Sequence, residues 1–161
     1  MGTTQFHHTG LLVEDLERTA EFYLRALDGF WLNRAATVAG EGAENVFPGT
    51  PGVSFRFCYI GFEGGGAVEL MELSKDPRPA WATVPRQEML PHFGLLVDDV
   101  AATAERVVEH GGKTLWPAPV DWGGAMVIYI ADPDGNVIEL FDQPLQKIVD
   151  LTNDLFPDAR P

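Results

Sequence analysis

The sequence has one cysteine, no long apolar run and few cationic residues, and each shortage excludes a class of protein. Cys58 has no second cysteine to pair with, so an internal disulfide is excluded and the cytoplasm is the expected location. No apolar run approaches the roughly 20 residues needed to span a bilayer. The first residues also lack the basic and apolar regions of a secretory signal. We therefore do not expect a membrane protein.

Cationic side chains are far fewer than acidic ones. Eleven Lys and Arg residues stand against 24 Asp and Glu residues, which gives a formal net charge of −13. Nucleic acids and anionic membrane surfaces bind clustered cations, so neither is an expected partner. The acidity serves solubility, and it is also compatible with a metal cation or a cationic ligand.

One motif occurs twice in the chain. The segment HTGLLVEDL at residues 8–16 recurs as HFGLLVDDV at residues 92–100. The segment VELME at residues 68–72 recurs as IELFD at residues 138–142, and the two motifs keep the same order in each half. Two matches in the same order indicate an internal duplication.

The residue pattern of each half of the chain predicts a βαβββ unit. An apolar strand is followed by an acidic pair that opens a helical pattern, and a glycine then ends the helix. The strands predicted after the two helices are 30–38, 53–60 and 67–73 in the first half, and 113–116, 125–130 and 137–141 in the second. The first half is 14 residues longer between its two motifs. We place that insertion in a loop at residues 39–52 that could overhang a site.

The residues with the strongest chemical signal are His8, Glu69, His92 and Glu139. Both glutamates stand between apolar strand residues, where a charged group is costly unless it faces water, a cation or a hydrogen-bond donor. A single His or Glu in a strand is most often an ordinary half-exposed residue. The duplication places all four at equivalent positions, and two imidazoles with two carboxylates suit Zn²⁺, Fe²⁺, Ni²⁺, Co²⁺ or Mn²⁺. The sequence therefore predicts a divalent metal site.

Other polar residues are given no role. His7 and His110 have no counterpart in the other half, and Cys58 lies in an apolar strand where packing is the expected role. Glu72 and Asp142 recur, but each stands three residues beyond a predicted ligand and so points to the other face of its strand.

These motifs resemble those of the vicinal oxygen chelate superfamily, which groups glyoxalase I, methylmalonyl-CoA epimerase, extradiol dioxygenases, and the fosfomycin and bleomycin resistance proteins. The resemblance covers about residues 6–142 and rests on residues 8–18, 68–70, 92–95 and 132–140. It implies an α+β fold in which paired βαβββ modules form a cup-shaped mixed sheet, commonly in a homodimer. It also implies that the four metal positions are His8, Glu69, His92 and Glu139. The resulting prediction is one glyoxalase-like domain over residues 1–161, with module 1 at about 5–73, a linker at 74–91, module 2 at about 92–142 and a C-terminal helix at 143–156.

The same resemblance implies a metal-dependent lyase, isomerase or epimerase. The His/Glu/His/Glu set is similar to that of bacterial glyoxalase I, in which a ligand carboxylate moves a proton beside a metal-chelated carbonyl. Glu139 is accordingly the first candidate base and Glu69 the second. Glyoxalase I usually carries an Arg four residues after its first His and an Asn four residues after its first Glu. Here Leu12 and Leu73 stand at those positions, so the expected substrate is a small carbonyl compound rather than a glutathione adduct.

Two alternatives stay open at this point. An Fe(II) extradiol-type dioxygenase needs two His and one carboxylate, which His8, His92 and Glu139 could supply. A bleomycin-resistance-like binding protein would instead use the acidity and the aromatic residues to hold a cationic, planar ligand. The tryptophans that could serve this role are Trp31, Trp81, Trp116 and Trp122. Ligand type alone does not choose among the candidate metals.

Overall fold

A computed structural model describes residues 7–74 and 92–155. The chain divides into two compact units, residues 1–90 and residues 91–161. The predicted linker, apart from Ser74, lies outside the described residues.

Unit 1 contains a five-stranded mixed sheet and two helices. Its elements are β1 (Thr9–Val13), α1 (Leu16–Ala26), β2 (Phe30–Trp31), β3 (Ala36–Val38), α2 (Glu41–Val46), β4 (Phe55–Gly61) and β5 (Ala67–Leu73). The strand order is β1-β5-β4-β2, and β3 also pairs with β4. Strand β1 runs parallel to β5, whereas the other pairs are antiparallel.

Unit 2 repeats this topology. Its elements are β6 (His92–Leu96), α3 (Val100–Glu109), β7 (Lys113–Thr114), β8 (Val120–Asp121), β9 (Met126–Ala131), β10 (Val137–Phe141) and α4 (Leu145–Leu155). The strand order is β6-β10-β9-β7, β8 pairs with β9, and β6 runs parallel to β10. The two mixed sheets and the C-terminal helix confirm the predicted α+β class and the duplicated βαβββ order.

One residue of each acidic pair predicted to open a helix acts as its N-cap. The side chain of Asp15 accepts a hydrogen bond from the backbone N–H of Arg18 at 2.9 Å, and that of Asp99 accepts one from Ala102 at 2.9 Å. Each carboxylate satisfies a backbone donor that has no partner within the helix. The equivalent position of the two caps extends the duplication from sequence to local structure.

Three details of the predicted strands and loops were wrong. The stretch 30–38 is not one strand, because the side-chain oxygen of Asn33 replaces the backbone ladder and accepts a hydrogen bond from the N–H of Tyr59 at 2.8 Å. The strand predicted at 113–116 ends at Thr114, and β8 was not predicted. The insertion at 39–52 is not all loop: it forms α2, whose Ala43 is completely buried.

In each unit, one face of the sheet packs against a long helix, α1 in unit 1 and α3 in unit 2. In β5, Val68 and Leu70 are 1% and 0% exposed and lie on the face that α1 covers. Alternation along the strand places Glu69 and Met71 on the opposite face, where both are half-buried. In β10, Ile138 and Leu140 are likewise buried. Glu69 therefore lies on the face opposite α1, and Glu139 on the face opposite the buried Ile138 and Leu140.

Candidate functional site

His8 and Glu69 form a close pair in unit 1. Nε2 of His8 lies 3.2 Å from Oε2 of Glu69, and their side chains are 30% and 17% exposed. The parallel register sets Gly10 opposite Glu69. A Cβ at Gly10 would lie 3.1 Å from Cε of Met71 and 3.8 Å from Oε2 of Glu69, so the glycine keeps the space beside the carboxylate open.

His92 and Glu139 form the same pair in unit 2. Nε2 of His92 lies 3.3 Å from Oε2 of Glu139, and the side chains are 33% and 17% exposed. Gly94 stands opposite Glu139, as Gly10 does opposite Glu69. The structure thus builds one His–Glu pair in each unit, with matching distance and exposure.

A tyrosine completes the arrangement in unit 1. The hydroxyl of Tyr59 donates a hydrogen bond to Oε1 of Glu69 at 2.8 Å. The ring of Tyr59 meets that of His8 edge to face, with 5.4 Å between their centroids. Burial, followed by the hydrogen bond to Glu69, raises the pKa of Tyr59 to about 12. The phenol therefore stays protonated at neutral pH and acts as a donor.

Tyr129 holds the equivalent place in unit 2. Burial, followed by the interaction with the Glu139 carboxylate, raises the pKa of Tyr129 to about 12. The hydroxyl lies 3.5 Å from Nε2 of His92, and the two rings meet edge to face at 5.1 Å. Trp116 packs against the other side of Tyr129, with ring centroids 4.9 Å apart.

Sequence reasoning missed both tyrosines, although a signal was present. Tyr59 is the cross-strand partner of Glu69, and Tyr129 is the partner of Glu139. Each tyrosine precedes its glutamate by ten residues and is followed by an isoleucine. Extending the duplication from the two motifs to this third match would have identified them.

Further residues surround the unit 1 pair. Nδ1 of His7, a residue without a predicted role, lies 2.6 Å from Nδ1 of His8. A cleft of about 510 Å³ opens beside these rings. Its walls are formed by His7, His8, Leu32, Asn33, Tyr59, Gly66 and Ala67. A small molecule could therefore reach the His8 side of the pair.

The remaining candidates lie away from the pairs. Cys58 is completely buried, and burial raises the pKa of its thiol to about 11, which fits the predicted packing role. Glu72 accepts a hydrogen bond from the N–H of Leu16 at 2.8 Å, on the helix side of the sheet. His110 is the C-cap of α3.

A group of three carboxylates at the start of α1 has a structural explanation. Oxygens of Asp15, Glu17 and Glu72 lie within 4.8 Å of one another. Arg56 hydrogen-bonds Glu17 and lies 3.6 Å from Oε2 of Glu72, and the Arg56 guanidinium lowers the pKa of Glu17. Asp15 is the N-cap of α1, and Glu72 accepts the N–H of Leu16. These carboxylates already pair with the Arg56 guanidinium and accept backbone N–H groups at the start of α1, so we assign no metal to them.

Comparison with known proteins identifies the family. The model of the Glyoxalase/Bleomycin resistance protein/Dioxygenase superfamily matches residues 5–140. This chain belongs to that superfamily. The match spans both units and includes all four residues of the His–Glu pairs.

Within the superfamily, similar curated proteins are lactoylglutathione lyases. The lactoylglutathione lyase of Haemophilus influenzae is 30% identical over 146 residues, which cover 89% of this chain and 96% of that protein. The probable lactoylglutathione lyase of Vibrio cholerae is 30% identical over 143 residues, covering 87% of this chain and 91% of that protein. These relatives support a lyase-type enzyme.

Solved structures support the fold. A glyoxalase family protein from Bacillus cereus superimposes with a TM-score of 0.73 at 19% identity, covering 88% of this chain and 95% of that one. The trypanothione-dependent glyoxalase I of Leishmania major gives a TM-score of 0.65 at 19% identity, covering 98% of this chain and 100% of that one. Among the helices described here, none is both long and apolar enough to cross a membrane.

Proposed function

We propose that this chain is a metal-dependent lyase or isomerase that moves a proton at the carbon beside a carbonyl group of a small substrate. The single observation that carries the proposal is the duplicated pair, in which an imidazole Nε2 lies 3.2 or 3.3 Å from a glutamate Oε2. The lactoylglutathione lyase relatives support the same class of reaction.

The proposed metal ligands are His8, Glu69, His92 and Glu139. Two neighbouring ligands that each lie about 2.1 Å from one ion are separated by roughly 3.0–3.4 Å, which is the separation found within each pair. Two imidazoles and two carboxylates suit Zn²⁺, Ni²⁺, Co²⁺, Mn²⁺ or Fe²⁺. When bound, such an ion supplies electrophilic polarisation of a substrate carbonyl.

The two glutamates would move the proton. A general base must lie within hydrogen-bond reach of the proton that it takes, and a ligand carboxylate stands next to any substrate that binds the same ion. Glu69 and Glu139 are both only 17% exposed and lie in strands whose other residues are largely apolar. We assign Glu139 as the principal base and Glu69 as its counterpart, following the resemblance to glyoxalase I.

The substrate is proposed to be something other than a glutathione adduct. Leu12 and Leu73 share the sheet face of His8 and Glu69, at the two positions where glyoxalase I usually has polar residues. Leu73 belongs to a buried apolar cluster that includes Ala43 of α2, and Leu12 packs against this cluster. Apolar side chains cannot pair with the carboxylates of glutathione, so these positions disfavour that ligand.

The sheet face of unit 1 that carries Glu69 also offers a surface for an apolar substituent of the substrate. Aromatic rings run from the end of α2 along β4, with centroids 5.1 Å apart for Phe47 and Phe55, 5.9 Å for Phe55 and Phe57, and 5.8 Å for Phe57 and Tyr59. Phe57 is half-buried, so part of its ring stays accessible. We therefore propose a small carbonyl substrate with an apolar or aromatic substituent.

Elemental analysis of the purified protein tests the metal site. We expect about one divalent ion per chain in the wild type and a loss of most of it in His8→Ala and in His92→Ala. His110→Ala is the matched control, because His110 lies at the end of α3, and it should keep full metal content. Full metal content in His8→Ala would contradict the proposal.

Sedimentation of the same samples tests the homodimer that the superfamily resemblance implies.

A further inference from the structure

The chain has three tyrosines, and two of them stand at equivalent positions beside the predicted glutamate ligands. Tyr59 and Glu69 face each other across the antiparallel β4–β5 pair, and Tyr129 and Glu139 do so across β9–β10. Each tyrosine ring also meets the neighbouring histidine ring edge to face. The third, Tyr23, is buried in α1 and belongs to neither pair.

In unit 1 the two oxygens of Glu69 have different partners. Oε1 accepts the hydrogen bond from the Tyr59 hydroxyl at 2.8 Å, whereas Oε2 lies 3.2 Å from Nε2 of His8. A carboxylate held in this way presents one oxygen on the histidine side and cannot turn freely about its last bond. Tyr59 is itself held, because its N–H donates to Oδ1 of Asn33.

We propose that Tyr59 and Tyr129 are positioning residues, each of which holds one glutamate oxygen so that the other is presented, next to a histidine Nε2, for a single bond to the metal. This inference rests on the proposed function, because it takes Glu69 and Glu139 as metal ligands. It gives a role to two residues outside the ligand set, and it states that each glutamate binds the metal through one oxygen.

The physical basis is that a hydrogen-bonding group next to a metal ligand fixes the orientation of that ligand. A carboxylate without such a partner can bind through either oxygen or through both, and ordering it upon metal binding costs conformational entropy. Removal of a group that orients a metal ligand typically weakens metal binding by about 10–100-fold. Phenylalanine preserves the ring contact with the histidine but lacks the hydroxyl, so Tyr→Phe isolates the hydrogen bond.

The two units differ in one respect that the test can use. The Tyr129 hydroxyl lies 3.5 Å from Nε2 of His92, and Tyr129 stands across the strand pair from Glu139, as Tyr59 does from Glu69. The Tyr59 hydroxyl donates a hydrogen bond to Oε1 of Glu69 at 2.8 Å. Both single variants are therefore needed.

The experiment measures Co²⁺ binding to the full chain by competition with a chromophoric chelator, together with the visible absorption spectrum of the Co²⁺ form. We expect the Kd for Co²⁺ to rise about tenfold or more in Tyr59→Phe and in Tyr129→Phe. The intensity and position of the Co²⁺ bands should change as well, because a released carboxylate alters the coordination. Tyr23→Phe is the matched control and should leave both readouts within twofold of the wild type.

The outcomes separate this inference from the proposed function. If the wild type binds Co²⁺ but both Tyr→Phe variants keep its Kd within twofold and its spectrum, the positioning role is wrong and the metal site stands. If Tyr23→Phe changes the spectrum as much as they do, the effect is one of general structure and the inference is also overturned. If the wild type binds no divalent ion, the proposed function fails first.

Discussion

Nε2 of His8 lies 3.2 Å from Oε2 of Glu69, although the two residues stand 61 positions apart. His92 and Glu139 are only 47 positions apart, yet the corresponding distance is 3.3 Å. The 14 additional residues of unit 1 are accommodated between β3 and β4, in a segment that includes α2. The pair geometry is unaffected because it depends on the parallel register of β1 with β5 and of β6 with β10.

Glu139→Gln should remove most of the proton-transfer activity. An amide has no basic oxygen, so we expect kcat for isomerisation of a hemithioacetal to fall by about 10²–10⁴-fold at saturating metal. Glu69→Gln should cause a smaller loss. Glu72→Gln is the matched control, because Glu72 lies on the same strand as Glu69 but faces α1, and its kcat should stay within threefold. A larger loss in Glu69→Gln than in Glu139→Gln would reverse the assigned roles.

Glutathione should give no advantage as part of the substrate. Hemithioacetals of phenylglyoxal formed with glutathione and with 2-mercaptoethanol differ only in the thiol, so they isolate its contribution. Because Leu73 lies in an apolar cluster and Leu12 packs against it, we expect kcat/KM for the glutathione adduct to be no higher than for the small adduct. Steady-state kinetics on the metal-loaded protein measure this. A tenfold or greater preference for the glutathione adduct would show that other residues bind it.

Asp132→Ala should destabilise unit 2. The buried Asp132 carboxylate accepts hydrogen bonds from the N–H of Asp134 at 3.0 Å, and from the N–H and side-chain amide of Asn136 at 2.8 and 2.7 Å. Losing this acceptor leaves buried donors unpaired, so we expect the free energy of unfolding in urea to fall by about 2–3 kcal/mol. Glu63→Ala, in the corresponding exposed turn of unit 1, should change it by less than about 0.5 kcal/mol. Equal effects of the two variants would refute this account of the turn.

The ion pair between Glu17 and Arg56 should make a small, pH-dependent contribution to stability. The Arg56 guanidinium lowers the pKa of Glu17 in the folded state, so the contribution is present above the unfolded value of 4.5 and is lost as the pH falls through the lowered pKa. Glu17 is 62% exposed, so water and salt screen the pair and we expect only about 0.2–0.5 kcal/mol.

Urea unfolding of the wild type and Glu17→Gln, compared at pH 7 and at pH 3, measures this contribution. The difference between them should shrink at pH 3 and also in high salt. Glu109→Gln, exposed at the end of α3, controls for the removal of one surface charge. A difference that grows toward acid pH would contradict the assigned sign.

Much of the fold could be predicted because it depends on local patterns. Apolar alternation and acidic helix starts are short-range signals, and Asp15 and Asp99 indeed cap α1 and α3. The helix α2 was not predicted, because six residues with a single buried side chain give too short an amphipathic pattern. The break after Trp31 was also missed, since it depends on the side chain of Asn33 reaching the N–H of Tyr59.

The sequence by itself determined which residue types recur, and therefore that His8, Glu69, His92 and Glu139 are the candidate ligands. Only the tertiary structure decided that each glutamate lies beside a histidine and across from a tyrosine, and that the two oxygens of Glu69 are divided between His8 and Tyr59. Periodicity tells which face of a strand a residue occupies, but not which residue lies across from it. That partner is set by the register of the antiparallel pairs β4–β5 and β9–β10, which bring Tyr59 to Glu69 and Tyr129 to Glu139.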